Sequence, residues 1–263
     1  MLNYSVLVKK LKNLLRNIQI VLKNIGLDFI KLKKIIYLKK YISDYLFFKK
    51  LNGKVHFIMP ILGEHKETNS NFDKHYFYQE TIVSSYIFQD NPKKHVDVGS
   101  RLSGFIGNVA SYRGIEFFDL RSSNIKHDNI TCKKIDLLDL PKEYENYTDS
   151  LSCLYVIEHI GLGRYGDTIN PKGPKIGYLN LIKMLKNNGK LYLAVPIGKE
   201  QKTYFNAHKI FKPADILDWD NSVKLYKFDY VDDDGIFHKD KNITDNNLNL
   251  LNYGCGIYTF IKN

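Results

Sequence analysis

From residue 94 onward, short hydrophobic runs alternate with stretches of helical periodicity. Five of these runs predict parallel β-strands, at residues 95–98, 115–118, 131–135, 150–156 and 190–195. Two later runs, at residues 224–230 and 256–261, are separated by a long polar stretch and predict an antiparallel hairpin at the edge of the sheet. The pattern therefore predicts an α/β fold, with a Rossmann-like parallel sheet and helices on both faces.

Helical periodicity marks three segments in and just before this region. Residues 75–90 predict a helix that ends at Asn91-Pro92, and residues 105–112 predict a helix after the first strand. Residues 178–186 predict a third helix, which the sequence Asn187-Asn188-Gly189 is expected to terminate. Each helix lies where a parallel sheet needs a covering layer.

The first 50 residues interleave apolar and basic positions at helical spacing. Residues 5–25 and 29–48 predict two amphipathic helices. Residues 54–60 predict a short strand. We therefore expect a basic helical segment over residues 1–50 and an α/β domain over residues 51–263.

Charge is concentrated in the N-terminal segment. The chain carries 39 basic and 28 acidic residues; twelve and two of these lie in residues 1–50, which leaves 27 and 26 for the remaining 213 residues. A nearly neutral α/β domain argues against a nucleic-acid partner, which would require a basic face. Two interpretations of the segment remain open: packing on the domain or on a second subunit of a homodimer, and peripheral contact with the inner face of an anionic membrane.

The sequence predicts neither a secretory leader nor a membrane span. Lysine and arginine interrupt the early apolar residues, and no run reaches the roughly 18 apolar residues needed to cross a bilayer. Cys132, Cys153 and Cys255 lack disulfide or zinc spacing, and the first two lie in apolar strands, where we expect buried thiols. These features favour a cytoplasmic protein. No metal site is expected either, since the acidic run at residues 232–235 lacks the glutamate of a calcium loop and reads as a solvated turn.

The turn after the first predicted strand is the strongest local signal for a ligand. Asp97 lies in the strand, and Gly99 and Gly104 flank a turn that leads into a helix. Glycine permits a tight turn and close approach of the backbone, and the free N–H groups of the helix suit polar ligand atoms. A purely structural turn has the same features, so the turn alone leaves both interpretations open.

Acidic residues follow at the ends of the next strands. Asp119 lies 22 residues after Asp97, about the distance at which a carboxylate holds a ribose diol in such folds. Asp136 follows the third strand, and Tyr155-Val156-Ile157-Glu158-His159 ends the fourth. Because the carboxyl ends of parallel strands share one edge, we expect these residues to surround one site.

The ordered motifs from Asp97 to the C-terminus resemble those of class I S-adenosylmethionine (SAM)-dependent methyltransferases. The resemblance implies SAM as the cofactor, with its ribose on Asp119, its adenine amine near Asp136 and its methionine part near the end of the fourth strand. The cofactor-binding residues that it implies are Asp97, Gly99, Ser100, Arg101, Gly104, Asp119, Leu120, Asp136, Leu137, Tyr155 and Glu158. The family's turn usually carries more glycine than this one. Arg101 is expected to face solvent or form a local salt bridge, with pairing to the SAM carboxylate as the alternative.

A narrower resemblance concerns residues 158–167. They are similar to a small methyltransferase-like family, some members of which belong to bacterial surface-polysaccharide clusters. This resemblance implies O-methylation of a sugar or of a glycan precursor. Residues 161–177 form a long loop rich in glycine and proline, in which Arg164 and Tyr165 are candidates for binding the acceptor, Arg164 through a phosphate or carboxylate.

A hydroxyl acceptor benefits from a general base. His159 is the first candidate because it follows the fourth strand at the cofactor edge and histidine titrates near neutral pH. His208, after the fifth strand, and Asp167, in the loop, are the others. Each has a structural alternative, namely a histidine bonded to a backbone carbonyl or an acid that faces solvent.

Three other functions are alternatives to an active methyltransferase. A dehydrogenase that binds NAD is disfavoured because the turn lacks Gly-x-Gly-x-x-Gly. A nucleic-acid methyltransferase is disfavoured because the domain is nearly neutral and because no Asn/Asp-Pro-Pro-Tyr or Pro-Cys motif follows the fourth strand. A non-catalytic binding module that keeps the methyltransferase fold is the remaining alternative, since the altered glycine turn is compatible with binding without turnover.

Overall fold

The structure is a computed structural model that describes residues 18–24, 26, 33–58, 60–64, 72–121 and 123–263. It divides into two compact units, residues 1–71 and residues 72–263. Most of the predicted helix over residues 5–25 lies outside the described residues, and its last part, residues 18–24, is helical. The predicted boundary at residue 50 between a helical segment and a domain remains a prediction.

The described part of the first unit contains a helix beyond residues 18–24. A 3₁₀ turn at Lys33–Tyr37 leads into α1 (Leu38–Lys50), so the described part of the second predicted helix is helical. The strand predicted at residues 54–60 is wrong for the positions that the structure describes, because residues 54–58 pair with no other strand and Phe57 is almost fully exposed. Among the described helices of the chain, none is both long enough and apolar enough to span a membrane.

The second unit begins with helix α2 (Lys74–Asp90), close to the prediction. The Asp73 side chain caps its start by accepting a hydrogen bond from the Tyr76 amide at 3.3 Å. Asn91 ends the helix in the left-handed region, with φ 40°, immediately before Pro92. Helix α2 therefore supplies Tyr76 and Glu80 to the site described below.

An eight-stranded sheet forms the centre of this unit. Its strands are β1 (His95–Val98), β2 (Ile115–Asp119), β3 (Ile130–Lys134), β4 (Thr148–Leu154), β5 (Leu185–Ile197), β8 (Val223–Val231), β9 (Phe237–His238) and β10 (Gly254–Lys262). A separate hairpin pairs β6 (Lys202–Tyr204) with β7 (His208–Ile210).

The strand order is β3-β2-β1-β4-β5-β10-β8-β9. The first five strands are parallel, whereas β10 is antiparallel to both β5 and β8. The predicted parallel sheet with an antiparallel pair at one end is therefore confirmed. The last strand of the chain lies inside the sheet, and the two-residue strand β9 forms the outer edge.

Two of the predicted helices differ from expectation. The segment after β1 starts as a π-helical turn at Leu102–Ile106 before one turn of α-helix, α3 (Gly107–Ala110). Helix α4 (Gly173–Met184) starts earlier than predicted, with Pro174 in its first turn, and β5 follows it directly. Asn187-Asn188-Gly189 is therefore not a helix stop. It lies within β5, where Asn188 has φ 62° and the pairing with β4 shifts register.

Apolar side chains cover both faces of the sheet. One cluster packs α4 and the 3₁₀ turn at Pro213–Trp219 against the sheet, and the other packs α2, the π turn and α3 against its opposite face. Cys153 and Cys255 are buried as free thiols, but Cys132 is only half-buried because β3 is an edge strand. The carboxyl ends of β1 to β4 are left at one rim of the sheet, where the candidate site lies.

Candidate cofactor and acceptor site

The turn after β1 depends on Gly99. This residue has φ +72°, and a Cβ atom placed on it would lie 2.9 Å from a methyl group of Val156. Its amide donates to the carbonyl of Phe118 at 2.8 Å and so connects the turn to β2. A side chain at this position would therefore meet both backbone strain and a steric clash.

The Asp97 side chain is hydrogen-bonded to the turn. Its carboxylate accepts hydrogen bonds from the Ser100 amide at 3.0 Å, the Ser100 hydroxyl at 2.6 Å and the Ser152 hydroxyl at 2.6 Å. The Ser100 hydroxyl in turn accepts from the Leu154 amide at 3.0 Å. Burial raises the pKa of Asp97 to about 7. Asp97 therefore braces the turn against β4, and its carboxylate is directed at protein groups.

Arg101 is paired with an acid that the sequence analysis did not single out. Its Nε lies 2.8 Å from Oε1 of Glu80, and one terminal nitrogen donates to Oε2 at 2.9 Å. The guanidinium also lies 4.5 Å from the ring centre of Tyr76. The expected local salt bridge is therefore present, and its partner lies on α2.

Gly104 provides room for the same carboxylate. A Cβ atom at Gly104 would lie 2.2 Å from Oε2 of Glu80. Glu80 is nearly fully buried, so the carboxylate cannot move away easily. The glycine is explained by close packing of α2 on the turn, and not by close approach of a ligand.

Asp119 ends β2 and is held by Arg121. Its Oδ1 accepts from the Arg121 amide at 2.8 Å and from Arg121 Nε at 2.9 Å, and its Oδ2 accepts from a terminal nitrogen of Arg121 at 3.0 Å. The guanidinium lies 4.7 Å from the ring centre of Tyr165. Asp119 and Arg121 thus form an ion pair at the rim of the sheet, with Tyr165 above it.

The third and fourth strands contribute Asp136 and Tyr155. Asp136 caps a turn by accepting a hydrogen bond from the Leu138 amide at 2.8 Å. Tyr155 has φ +57°, an uncommon backbone conformation for a residue with a side chain. Its hydroxyl lies 2.8 Å from Nδ1 of His75. Such strain at the end of a central strand is typical of a functional site.

Two adjoining cavities open along this rim. The first is lined by Val98, Gly99, Asp119, Leu120, Arg121, Ile135, Asp136, Leu137, Tyr155, Val156, His159, Ile160, Tyr165 and Asp167. The second is lined by Tyr76, Gly99, Ser100, Arg101, Leu102, Phe117, Asp119, Arg121, Ser123, Leu154, Tyr155 and Tyr165. They meet at five shared residues, which are Gly99, Asp119, Arg121, Tyr155 and Tyr165.

Most of the predicted cofactor residues therefore line these two adjoining cavities. They are Gly99, Ser100, Arg101, Asp119, Leu120, Asp136, Leu137 and Tyr155. Asp97, Gly104 and Glu158 line neither cavity. Of the predicted catalytic and acceptor residues, His159, Asp167 and Tyr165 line the first cavity.

His159 is fixed by a backbone carbonyl. Its Nδ1 lies 2.6 Å from the carbonyl oxygen of Ala207, so Nδ1 carries a proton and donates it. Nε2 lies 3.6 Å from Oε1 of Glu158. Burial, with the nearby Arg164 guanidinium as a further cause, lowers the pKa of His159 to about 4. The imidazole is therefore neutral at physiological pH, with an unprotonated Nε2.

Asp167 organises the loop over the first cavity. Its Oδ2 accepts from the amides of Gly161 at 2.7 Å and Gly163 at 3.2 Å, and its Oδ1 accepts from the Tyr165 amide at 3.2 Å. Three backbone amides of the loop thus share this one carboxylate. The geometry gives Asp167 a structural role in positioning Tyr165.

Arg164 and His208 lie beside this loop. Arg164 donates to the carbonyl of Ala207 at 2.9 Å, and among the described residues no carboxylate forms an ion pair with it. His208, in β7, is half-buried between the rings of Tyr204 and Tyr253 and lines neither cavity. The structure thus brings His159, Arg164 and Tyr165 together, while His208, the residue after Ala207, lies outside both cavities.

The acidic run at residues 232–235 does more than face solvent. Asp232 accepts hydrogen bonds from the amides of Asp234 and Ile236 and lies 2.7 Å from Nε2 of His238. Asp233 accepts from the amides of Asn252 and Tyr253. The segment is a turn in which Asp233 and Asp234 are exposed, as expected, and Asp233 also holds the chain before β10, which includes Tyr253.

Comparisons with known proteins agree with this architecture. A family model described as "Caenorhabditis protein of unknown function, DUF268" matches residues 113–240. No curated protein matches the sequence.

Solved structures that resemble the chain include three methyltransferases. The 1,6-didemethyltoxoflavin-N1-methyltransferase of Burkholderia thailandensis, with bound 1,6-didemethyltoxoflavin and S-adenosylhomocysteine, has a TM-score of 0.50 and 9% identity, over 78% of this chain and 93% of that one. The N-methyltransferase NodS of Bradyrhizobium japonicum WM9, in complex with S-adenosylhomocysteine (SAH), has a TM-score of 0.48 and 9% identity, over 73% and 89%. A SAM-dependent methyltransferase of Clostridium acetobutylicum ATCC 824 has a TM-score of 0.48 and 12% identity, over 73% and 93%.

At such identities the likeness concerns the fold alone, because one fold supports many functions. The same fold is indicated by the strand order, by the antiparallel β10 and by the first of these matches. The chain has the Rossmann-like α/β fold of the class I SAM-dependent methyltransferases.

Proposed function

We propose that the protein is a SAM-dependent methyltransferase. The observation that carries the proposal is the pair of adjoining cavities along the carboxyl ends of β1 to β4, which meet at Asp119. In open α/β sheets this rim is where nucleotide-like ligands bind. Two joined cavities with an acid between them suit a ligand with a nucleoside at one end and an amino acid at the other.

The residues present fit SAM. Ile135, Leu137 and Val156 give the first cavity apolar walls for the adenine, and Asp136 lies beside them. Asp119 lies between the cavities, where it would hold the ribose, and Gly99 lets the backbone approach the second cavity closely. When bound, SAM supplies a methyl group on a sulfonium centre, which is the electrophile of the transfer.

The acceptor is proposed to be a hydroxyl of a sugar or of a glycan precursor of a bacterial surface polysaccharide. The similarity of residues 158–167 to the polysaccharide-associated family supports this, as does the position of Tyr165 at the cavity, with Arg164 next to it in the chain. Arg164 has a guanidinium without an acidic partner among the described residues, which suits a phosphate or carboxylate of the acceptor. Tyr165 contributes an aromatic face above both cavities.

His159 is the preferred general base. It lines the first cavity, and its Nδ1–H bond to Ala207 fixes the tautomer in which Nε2 has a free lone pair. A neutral imidazole is ready to accept the proton that a hydroxyl loses. His208 lies outside the cavities, and the carboxylate of Asp167 is occupied by three amides, so both are weaker candidates.

Residues 1–50 are proposed to hold the protein at the inner membrane face or in a homodimer. Helix α1 supports this because Leu38, Ile42, Leu46, Phe47 and Phe48 are exposed within a strongly basic sequence. Lysines at both ends of that helix suit an anionic surface. A cytoplasmic location and the absence of a nucleic-acid partner complete the proposal.

Calorimetric titration with SAM tests the function. The expected result is micromolar binding by the wild type and loss of binding in D119A, because the ribose would lose its carboxylate. D128A serves as the matched control, since Asp128 is an exposed acid near β3 that lines neither cavity. A folded wild type that does not bind SAM, or a D119A variant that binds as tightly as D128A, contradicts the proposal.

A non-catalytic binding module remains the second candidate. The observation in its favour is the Asp119–Arg121 ion pair, which occupies both carboxylate oxygens that a ribose diol would need. SAM binding without conversion to SAH, over a panel of sugar phosphates and nucleotide sugars, would favour the module. Conversion with any member of the panel would favour the enzyme.

A further inference from the structure

Glu158 is a buried carboxyl group without a hydrogen-bond partner. The residue is 1% exposed, and neither carboxyl oxygen has a hydrogen bond with another residue that the structure describes. The nearest basic group, Nε2 of His159, is 3.6 Å from Oε1, beyond hydrogen-bond distance. Burial raises the pKa of Glu158 to about 8, so the group is a neutral carboxylic acid at physiological pH.

Asp97 and Asp229, the other acids of this unit with no exposed surface, form hydrogen bonds through their carboxylates. Asp97 accepts three hydrogen bonds from Ser100 and Ser152. Asp229 accepts from the Tyr86 hydroxyl at 2.8 Å and from the Asp240 amide at 2.7 Å. An unsatisfied buried polar group costs roughly 1–3 kcal/mol, so Glu158 stands apart from acids that the fold itself accommodates.

Cavity residues surround Glu158. The next residue, His159, lines the first cavity, Tyr76 lines the second and Tyr155 lines both. Burial and then the nearby Glu158 carboxylate raise the pKa of Tyr76, and the same two causes raise the pKa of Tyr253 to about 12. Glu158 therefore lies close to residues of both cavities and to the rings that follow.

A row of aromatic rings leads from this point to the surface. We call Tyr76, Tyr155, His75, Tyr253, His208 and Tyr204 the aromatic row. Neighbouring ring centres in it are 5.2 to 6.1 Å apart. Tyr253 and Tyr204, at the outer end, are each about two-fifths exposed. Burial lowers the pKa of His75 and of His208, so the row is uncharged near neutral pH.

We propose that Glu158 binds a hydroxyl group of the methyl acceptor, and that this acceptor is a hydroxylated ring compound whose ring lies against the aromatic row. A neutral carboxyl group both donates and accepts, which complements a hydroxyl, whereas an ammonium group only donates. Aromatic faces suit the apolar face of a ring. The proposal rests on methyl transfer as the function, and it assigns Glu158 to the acceptor instead of the cofactor.

Thermal unfolding of two variants gives the first test. E158Q and E158L replace the buried, unpartnered carboxyl group with an amide or with an apolar group. We expect both variants to melt at the same temperature as the wild type or about 2–4 °C higher. The matched control is D229N, which weakens a satisfied buried acid and is expected to melt lower. If both Glu158 variants melt clearly below the wild type, Glu158 is a structural acid and the proposal is wrong.

Titration with SAH and a turnover assay give the second. We expect E158L to bind SAH within about twofold of the wild type and, in the sugar-phosphate panel, to raise KM for the acceptor at least tenfold, whereas E158Q, whose amide also donates and accepts, should raise KM less. If SAH binding weakens tenfold or more, Glu158 is a cofactor-binding residue and the proposal is wrong. Unchanged turnover would also overturn the proposal. If the wild type fails to bind SAH, the proposed methyltransferase function is wrong. The melting comparison still decides whether Glu158 is a structural acid or a ligand-binding one.

Discussion

The guanidinium of Arg121 occupies both carboxylate oxygens of Asp119, through Nε to Oδ1 at 2.9 Å and a terminal nitrogen to Oδ2 at 3.0 Å. With the Arg121 amide also on Oδ1, three of the roughly four lone-pair sites of the carboxylate are in use. A ribose diol would compete with this ion pair for Asp119. The two residues therefore set the affinity of the site for a nucleoside together.

Arg121→Ala is expected to tighten SAM binding. The Arg121 side chain is largely exposed, so the ion pair that must be broken is worth at most about 1 kcal/mol, which corresponds to an increase in affinity of up to about fivefold. Calorimetry on R121A beside R121K would measure this, since lysine keeps the charge but not the paired geometry. Binding that is weaker in R121A than in R121K would instead identify Arg121 as a ligand of the cofactor.

Gly99→Ala is expected to destabilise the protein by about 1–3 kcal/mol, because the left-handed backbone and the clash with Val156 both oppose a methyl group. Gly114→Ala is the matched control, since a Cβ atom there meets nothing within 4 Å. Chemical unfolding should place G114A near the wild type and G99A well below it. Equal stabilities would show that the turn after β1 can relax around a side chain.

Much of this architecture is predictable from the sequence because it is local. The apolar runs that form β1 to β5 are visible in the sequence. Because the strands are parallel, acids at their carboxyl ends share one rim of the sheet, where Asp119 and Asp136 are found. Local signals also mislead. Asn187-Asn188-Gly189 has the composition of a helix stop, yet pairing with β4 makes it part of β5.

The residues that the sequence did not reveal are defined by packing between distant elements. Glu80 pairs with Arg101 across 21 residues, and His75 meets Tyr155 across 80. The need for glycine at position 104 also comes from a distant element, because the Glu80 side chain of α2 fills the space that a Cβ atom would occupy. No pattern within one element indicates such contacts, although the buried acid Glu80 and the several aromatic residues of α2 are a signal that this helix serves the site.

Asp97 is expected to make stability depend on pH. Its pKa is raised from 3.8 to about 7 in the folded protein, so the folded state binds the proton more tightly than the unfolded chain does. The resulting stabilisation is fully present below about pH 4 and is lost as the pH rises through 7, by at most about 1.4 kcal/mol per pH unit. Asp97→Asn removes this dependence.

Urea unfolding of both proteins at pH 5 and pH 8 measures the effect. The wild type should be favoured over D97N more at pH 5 than at pH 8, whatever constant difference the lost hydrogen bonds cause. Comparison of the two proteins cancels the contributions of Glu158 and the buried histidines. A difference that stays the same at both pH values would show that Asp97 remains ionised when the protein is folded.

The contact between His159 and Ala207 predicts the protonation state of the proposed base. Because burial lowers the pKa of His159 to about 4 and Nδ1 donates to a carbonyl, the ring should remain neutral, with its proton on Nδ1, from pH 8 to pH 5. Nitrogen-15 spectra of protein labelled at histidine would show this, with H159Q to assign the signal. In turnover assays H159A should lose about 10²- to 10⁴-fold in rate, as expected for removal of a general base, and H208A far less. A His159 signal that titrates near pH 6.5 would mean that the bond to Ala207 does not hold the ring, and full turnover in H159A would exclude it as the base.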